Sequence, residues 1–197
     1  MASDSREQIV RAALAYVGEQ GWESTSLQAV RLRAGVSNGS LFHYFPTREA
    51  LGGAVIAAGL CDHQSALTAE LRAATGRRVG IERVVIRHLR WLQDDRPLAR
   101  LFLTTPPDVL RSGLDPVAVA ENQRFFQDVA SWLREHGWTG TPGLAVVLAL
   151  WIGPAQEYAR RQLAATTAGN LGEAADELAA GAWRAVRPLL EDSTEDR

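Results

Sequence analysis

The stretch AGVSNGSLFHYF, residues 34–45, sets Gly35, Ser37 and Gly39 within five residues and then closes on bulky and aromatic side chains. It is too polar and interrupted for a core helix and too well punctuated for an irregular loop. Read as a helix capped by Ser37 and ending at Phe45, it turns Leu41 and Phe45 inward, four residues apart. His43 then points the other way, flanked by Gly39, Ser40 and Phe42. Gly39 has no side chain, so a backbone or a phosphate can come close. The positive end of the helix suits a phosphate too. A small, polar and aromatic outward face fits a major groove.

Other chemistries lack their residues. The sequence holds no phosphate-cradling glycine loop, no GxSxG and no His/Cys cluster at metal-ligand spacing. The four histidines are far apart in sequence, though not necessarily in space. Glu157 and the adjacent Asp94 and Asp95 read as solvated faces rather than acid/base dyads. Cys61 is the single cysteine, which rules out an internal disulfide, suits a reducing cytoplasm and reads as inert helical packing. The expectation is a protein that is not an enzyme, with no cofactor and no metal.

The elements that must position the 34–45 stretch are helices, and the whole chain reads as all-α. Strand signals are confined to RVVI and VAVA, both inside helix-period patterns. A first helix is expected over about 6–20, opened by a Ser5/Gln8 capping box, striped by Ile9, Ala13, Tyr16 and Val17, and stopped by Gly21. Thr25, with Gln28 three residues on, is expected to cap a short second helix carrying Leu27, Val30 and Ala34, which Gly35 ends. Ser37 caps the third and Pro46 stops it. Thr47 caps the fourth, expected over about 48–75 with Glu49 in its first turn. Further helices are expected over about 80–94, 97–103, 116–136, 143–167 and 171–190, nine in all, with loops at 104–116 and 136–143 and a frayed tail EDSTEDR. The second and third helices, joined by the tight turn AGVS, make a helix-turn-helix. In that turn Gly35 takes the unusual backbone angle and Val36 plugs the core.

With these residues in place, the stretch from about Gln8 to Leu51 resembles the DNA-binding domain of TetR-type (TetR/AcrR) transcriptional regulators. The matching residues are Gly21, Thr25, Val30, AGVS at 34–37, Gly39, Leu41, the Tyr44–Phe45 pair and REAL at 48–51. The motif covers about a quarter of the chain, and the chain length and helix count also match. The resemblance implies an N-terminal DNA-binding domain, residues 1–47, and a C-terminal ligand-binding and dimerisation domain, residues 48–197. It places Asn38, Ser40, Phe42 and His43 in the major groove or beside its phosphates. Tyr44 and Thr47 would bond phosphates, and Arg48 stands for the family's usual Lys, with Thr25, Ser37 and Gly39 completing the set. Two positions depart from the pattern. Phe42 replaces a more usual Tyr, removing a hydroxyl. Arg31 replaces a small Ala, either packing its stem on the core with its head in solvent or adding a phosphate contact.

The C-terminal half is read for a ligand and a partner. His88, Trp91, Leu92, Phe102, Asn122, Phe126, Trp132, Trp151 and Gln156 offer aromatic walls with few polar anchors, as small-molecule sites do. The expected effector is apolar or aromatic with one or two hydrogen-bonding groups, although Arg87, Arg90, Arg160 and Arg161 could serve a polyanion. The eighth and ninth helices are apolar enough for a four-helix homodimer interface, or for an ordinary core. The ninth carries Leu171, Ala175, Leu178, Ala182, Val186 and Leu189 on one stripe; the eighth carries Leu144, Leu148, Trp151, Ala155, Tyr158 and Ala159. Pro154 should kink the eighth helix, because it cannot donate to the Leu150 carbonyl.

Composition bounds these readings. The net charge over 197 residues is −2, so no bulk positive field draws in nucleic acid. Residues 1–55 hold five Arg and five acids, so DNA binding should rest on positioned contacts and show a moderate salt slope. All 21 basic residues are Arg, a bias typical of GC-rich bacterial genomes. No signal peptide is read at the N-terminus, and the longest apolar run is shorter than the roughly 20 residues of a membrane span. The expectation is a cytoplasmic homodimeric repressor that reads a palindromic operator in double-stranded DNA and is released by its effector. The alternative is a ligand-binding or partner-protein adaptor whose helix-turn-helix no longer binds DNA.

Overall fold

A computed structural model describes residues 2–106, 116–165 and 169–190. Among them are ten α-helices, one short 3₁₀ turn and no strand. The helices are α1 (Ala2–Gln20), α2 (Leu27–Ala34), α3 (Asn38–Tyr44), α4 (Arg48–Ala73), α5 (Arg77–Asp94) and α6 (Arg96–Thr104). They continue as α7 (Pro116–Glu135), α8 (Leu144–Trp151), α9 (Gly153–Ala164) and α10 (Ala175–Leu190), with the 3₁₀ turn at Leu171–Ala174. No helix among the described residues is long and apolar enough to cross a membrane.

The chain divides into two compact units, the described residues of Met1–Asp62 with Asp95–Glu121, and those of His63–Asp94 with Asn122–Arg197. By compactness it therefore divides elsewhere than at the 47/48 boundary expected from the motif. Helices α4 and α7 have residues in both units.

In the first unit, α1, α2 and α3 bury one shared face. Ile9, Ala13 and Val17 from α1 meet Val30 and Ala34 from α2 and Leu41 and Phe45 at the end of α3. Leu51 and Val55 from α4 are buried as well. Side chains of this size each contribute about 1.5–3 kcal/mol when fully buried. A bidentate ion pair from Arg33 to Glu19, at 2.7 and 2.6 Å, ties α2 to α1 on the solvent side. The Arg33 hydrogen bond holds the Glu19 carboxyl below its ordinary range and pushes the guanidinium up. Cys61 is half-buried rather than buried; burial first, then the Glu121 carboxylate 3.5 Å away, pushes its thiol up.

The second unit is built on α5 against α10. Ile81, Val84, Val85, Leu89 and Leu92 of α5 are buried, as are Ala175, Ala179, Ala182, Val186 and Leu190. Alanines along α10 keep that helix's buried face low. Trp151 is 1 % exposed and its indole N–H donates to the Ile81 carbonyl at 3.0 Å, so its polar atom is satisfied inside the core. Trp132 lies beside it, ring centroids 6.2 Å apart.

Several boundaries differ from the sequence reading, each for a local reason. Helix α1 starts at Ala2, so the expected Ser5/Gln8 box lies inside it. Ser26, not Thr25, caps α2 and accepts from the Ala29 amide; Thr25 is 2 % exposed and donates to the Gly21 carbonyl. Helix α5 starts three residues before the expected Gly80. The expected single helix over 143–167 is two helices meeting at Ile152, where Pro154 lacks the N–H that would bond Leu150. The buried stripe of the last helix runs through Ala179 and Leu190, while Leu178 and Leu189 are half-buried. In the α8–α9 stretch it is Val147, Trp151, Ala155, Ala159 and Leu163 that are buried. Most of the expected 104–116 loop, the end of the 143–167 helix and the EDSTEDR tail lie outside the described residues.

Candidate nucleic-acid interface

The turn between α2 and α3 is built as its residues require. Gly35 has φ +65° and ends α2, its amide region closing on Arg31 and Leu32 carbonyls. That backbone angle is strained for any residue with a Cβ. Ser37 then caps α3, its hydroxyl accepting from the Ser40 amide at 3.1 Å. Arg31 is half-buried, bonding the Gln28 side chain at 3.2 Å and the Val36 carbonyl at 3.4 Å. Its head is thus directed across the turn, which holds α2 and the start of α3 together.

Leu41 is 1 % exposed and Phe45 2 %, so α3 is anchored by the two residues expected to face inward. Asn38, Gly39, Phe42 and His43 are exposed, Phe42 at 53 %. Ser40 and Tyr44 are half-buried, and the Tyr44 ring meets His43 edge-on at 4.9 Å. A Cβ built on Gly39 would lie 3.8 Å from the Ser37 hydroxyl, an ordinary contact. Nothing inside the domain therefore requires glycine there. Thr47 caps α4, accepting from the Ala50 amide at 3.1 Å, and remains exposed.

Arg48 is placed differently from a free phosphate ligand. Its Nε donates to the Thr25 carbonyl at 2.8 Å and a terminal nitrogen donates to the Trp22 carbonyl. The guanidinium lies 4.3 Å from the centre of the Trp22 ring. Arg48 thus holds the turn between α1 and α2 against the start of α4, a role suited to a planar fork. Thr25 is likewise a structural group here, buried and bonded to Gly21.

Residues 9–55 match the family described as "Bacterial regulatory proteins, tetR family". The match takes in α1, α2, α3 and the start of α4. No curated protein matches the chain. Among solved structures, the chain is similar to a transcriptional regulator FadR from Bacillus subtilis in complex with stearoyl-CoA, with TM-score 0.67, 12 % identity and coverage of 89 % of this chain and 96 % of that one. It is similar to a TetR transcriptional regulator from Rhodococcus sp. RHA1, with TM-score 0.67, 17 % identity and coverage of 98 % and 100 %. It is also similar to a TetR-family regulator from Mesorhizobium loti, with TM-score 0.60, 21 % identity and coverage of 93 % and 97 %. At these identities the likeness is one of fold, and the described chain has the all-helical TetR-type fold with its helix-turn-helix at the N-terminus.

The residues expected to meet a ligand in this TetR-type fold are distributed unevenly. Phe102 is half-buried in the first unit. Leu92, Trp132 and Trp151 belong to the core of the second. Phe126 is 36 % exposed, and Gln156 is half-buried behind the α8–α9 break. The structure gathers His88 and Trp91 of α5 with His63 of α4, a residue the sequence reading did not select. His63 Nε2 and His88 Nδ1 are 2.8 Å apart. The His63 ring stacks on Trp91 with centroids 4.3 Å apart and planes 11° from parallel. Gln64, the next residue in sequence, donates to the Asn122 side-chain carbonyl at 2.8 Å.

Both histidines are buried, at 4 % and 3 % exposure, and the outer nitrogens His63 Nδ1 and His88 Nε2 have no hydrogen-bond partner among the described residues. Burial depresses His63 to about 3, helped by His88 and Arg87, and depresses His88 to about 4. The pair is therefore neutral at pH 7. A buried polar atom left unmet costs about 1–3 kcal/mol. No group of three or more His, Cys, Asp or Glu able to hold a metal occurs among the described residues.

Proposed function

We propose that the chain is a ligand-responsive DNA-binding transcriptional regulator, a cytoplasmic repressor that binds a palindromic operator as a homodimer and is released by a small apolar or aromatic effector. The observation that carries this reading is the composition of α3. Leu41 and Phe45 are sunk into the core while Asn38, Gly39, Phe42 and His43 face out, and nothing in the domain itself requires Gly39. An outward face with a gap in its side chains suits close approach to a groove. Ser37, Ser40, Tyr44 and Thr47 supply hydroxyls in and beside α3. Arg48 and Thr25 act one step back, by fixing the α1–α2 turn on which α3 is oriented.

The effector reading is supported by the chemistry of the second unit. The His63–His88 pair beside Trp91 is neutral. Arg160 and Arg161, which could have met a polyanion, both pair with Glu157. That favours an apolar ligand over a multiply charged one such as the stearoyl-CoA bound by the Bacillus subtilis protein. Homodimerisation is supported by α8, where Val146 and Leu150 are 49 % and 39 % exposed on one face of an almost wholly apolar helix. An effector that prefers a conformer with the two recognition helices wrongly spaced would release DNA, and operator would weaken effector binding by the same factor.

Selection from a random-sequence DNA pool tests the reading. Enrichment of an inverted repeat with half-sites about one helical turn or slightly more apart is the expected result. A pool that shows no enrichment would move the adaptor alternative ahead, which the inward-turned Arg48 favours.

A further inference from the structure

The second unit contains one polar cluster that a DNA-reading face cannot use, the His63–His88 pair beside Trp91. The pair shares one proton along its Nε2···Nδ1 line. If His63 carries that proton, His63 Nδ1 accepts and the His88 Nε2–H donates; if His88 carries it, the roles reverse. One outer nitrogen is thus always an acceptor and the other a donor, and a contact at one end fixes the tautomer at the other. Both outer nitrogens are buried and unpartnered among the described residues.

We propose that His63 Nδ1 is the hydrogen-bonding anchor for an apolar effector that carries a hydroxyl group. This rests on the effector-responsive reading above and gives that site its chemistry. A hydroxyl both donates and accepts, so it satisfies His63 Nδ1 in either tautomer, whereas an ether or ketone serves only one. Neither outer nitrogen is exposed. The His63 ring stacks on the half-buried Trp91, whereas His88 is flanked on α5 by the buried Val84, Val85, Leu89 and Leu92, so the His63 end is the one beside a partly exposed side chain. The half-buried indole of Trp91 offers the apolar surface beside the anchor.

The test uses the full chain with two matched pairs of probes, phenol against toluene and 2-naphthol against 2-methylnaphthalene. Binding is followed by tryptophan fluorescence and by the imidazole ¹⁵N resonances. In at least one pair the hydroxylated member should bind about tenfold or more tighter than its methyl twin. A phenolic hydroxyl donates more strongly than it accepts, so its binding should favour the tautomer in which His63 Nδ1 accepts and shift His63 Nδ1 and His88 Nε2 in opposite senses. His63→Gln retains a group that can face His88 but has none at the Nδ1 position, so it should fold and lose the preference. His63→Asn keeps a polar group near the Nδ1 position and should retain part of it.

Should His63→Gln fail to fold, the wild-type ¹⁵N shifts still decide. The anchor is overturned by no hydroxyl preference in either pair, whether from equal or absent binding. It is equally overturned by a preference that His63→Gln leaves intact, or by imidazole resonances that stay still. Specific DNA binding without hydroxyl preference would remove the anchor and leave the regulator reading. Hydroxyl preference without DNA binding would do the reverse.

Discussion

Arg48 looks in sequence like a phosphate ligand at the start of a helix, yet its guanidinium is directed at two main-chain carbonyls and the Trp22 face. Replacing it by Ala leaves those groups without their donor. The expected result is a loss of about 1–2 kcal/mol, read by urea denaturation with Trp22 emission as a local probe. Ser37→Ala should cost about 1 kcal/mol by removing the α3 cap, measured the same way. The histidine pair makes a prediction of opposite character. His63 and His88 are held at about 3 and 4, below the ordinary 6.5, so the unfolded chain binds protons that the folded chain refuses. Their contribution to stability is complete above pH 6.5 and falls as pH drops towards 4. Between pH 7 and pH 5 the loss is roughly 2 kcal/mol per ring. Thermal midpoints across that range should fall steeply for wild type and less for His88→Phe. Matching slopes for the two proteins would contradict the assignment.

At the scale of elements, much of the structure could be read directly where a single residue type dictates the backbone. Gly21, Gly35, Ser37, Thr47 and Pro154 each act through their own chain segment, and each is found where its chemistry requires. Reading was less reliable where a choice depended on packing. The sequence reading takes Thr25 as the cap of α2; burial of Thr25 against Gly21 leaves the cap to Ser26. Nothing around His63 in sequence signals a site, because its partner lies 25 residues away. The carbonyls that Arg48 meets belong to another segment, so its partners are not legible in its own stretch of sequence. Gly137 is a further case, at φ +106° with the Leu190 carbonyl oxygen 2.3 Å from where a Cβ would stand. That same carbonyl accepts from Arg77 at 2.9 Å. Gly137→Ala should cost about 2 kcal/mol or more, since both the backbone angle and a main-chain clash oppose it. A thermal midpoint unchanged by this substitution would show that the 136–143 loop adapts freely.

For the whole molecule, the proposed function needs α3 to read DNA, the second unit to respond to an effector and two copies to pair. The exposed Val146 and Leu150 of α8 are the apolar face that a second copy would cover. Val146→Asp combined with Leu150→Glu should shift sedimentation towards monomer while leaving helical content unchanged. Local charge in residues 1–55 is balanced, and Arg33 and Arg48 already have partners within the chain. Specific binding should therefore depend on fixed contacts more than on counterion release. The most direct measurement is fluorescence anisotropy of the purified protein on its own upstream intergenic DNA, beside Ser40→Ala/Tyr44→Ala, at about 50 and 200 mM salt. The account predicts sequence-specific binding by the wild type that falls by about tenfold to hundredfold over that range, and loss of specificity in the double variant. Binding that ignores sequence, or that the double variant retains in full, would contradict it.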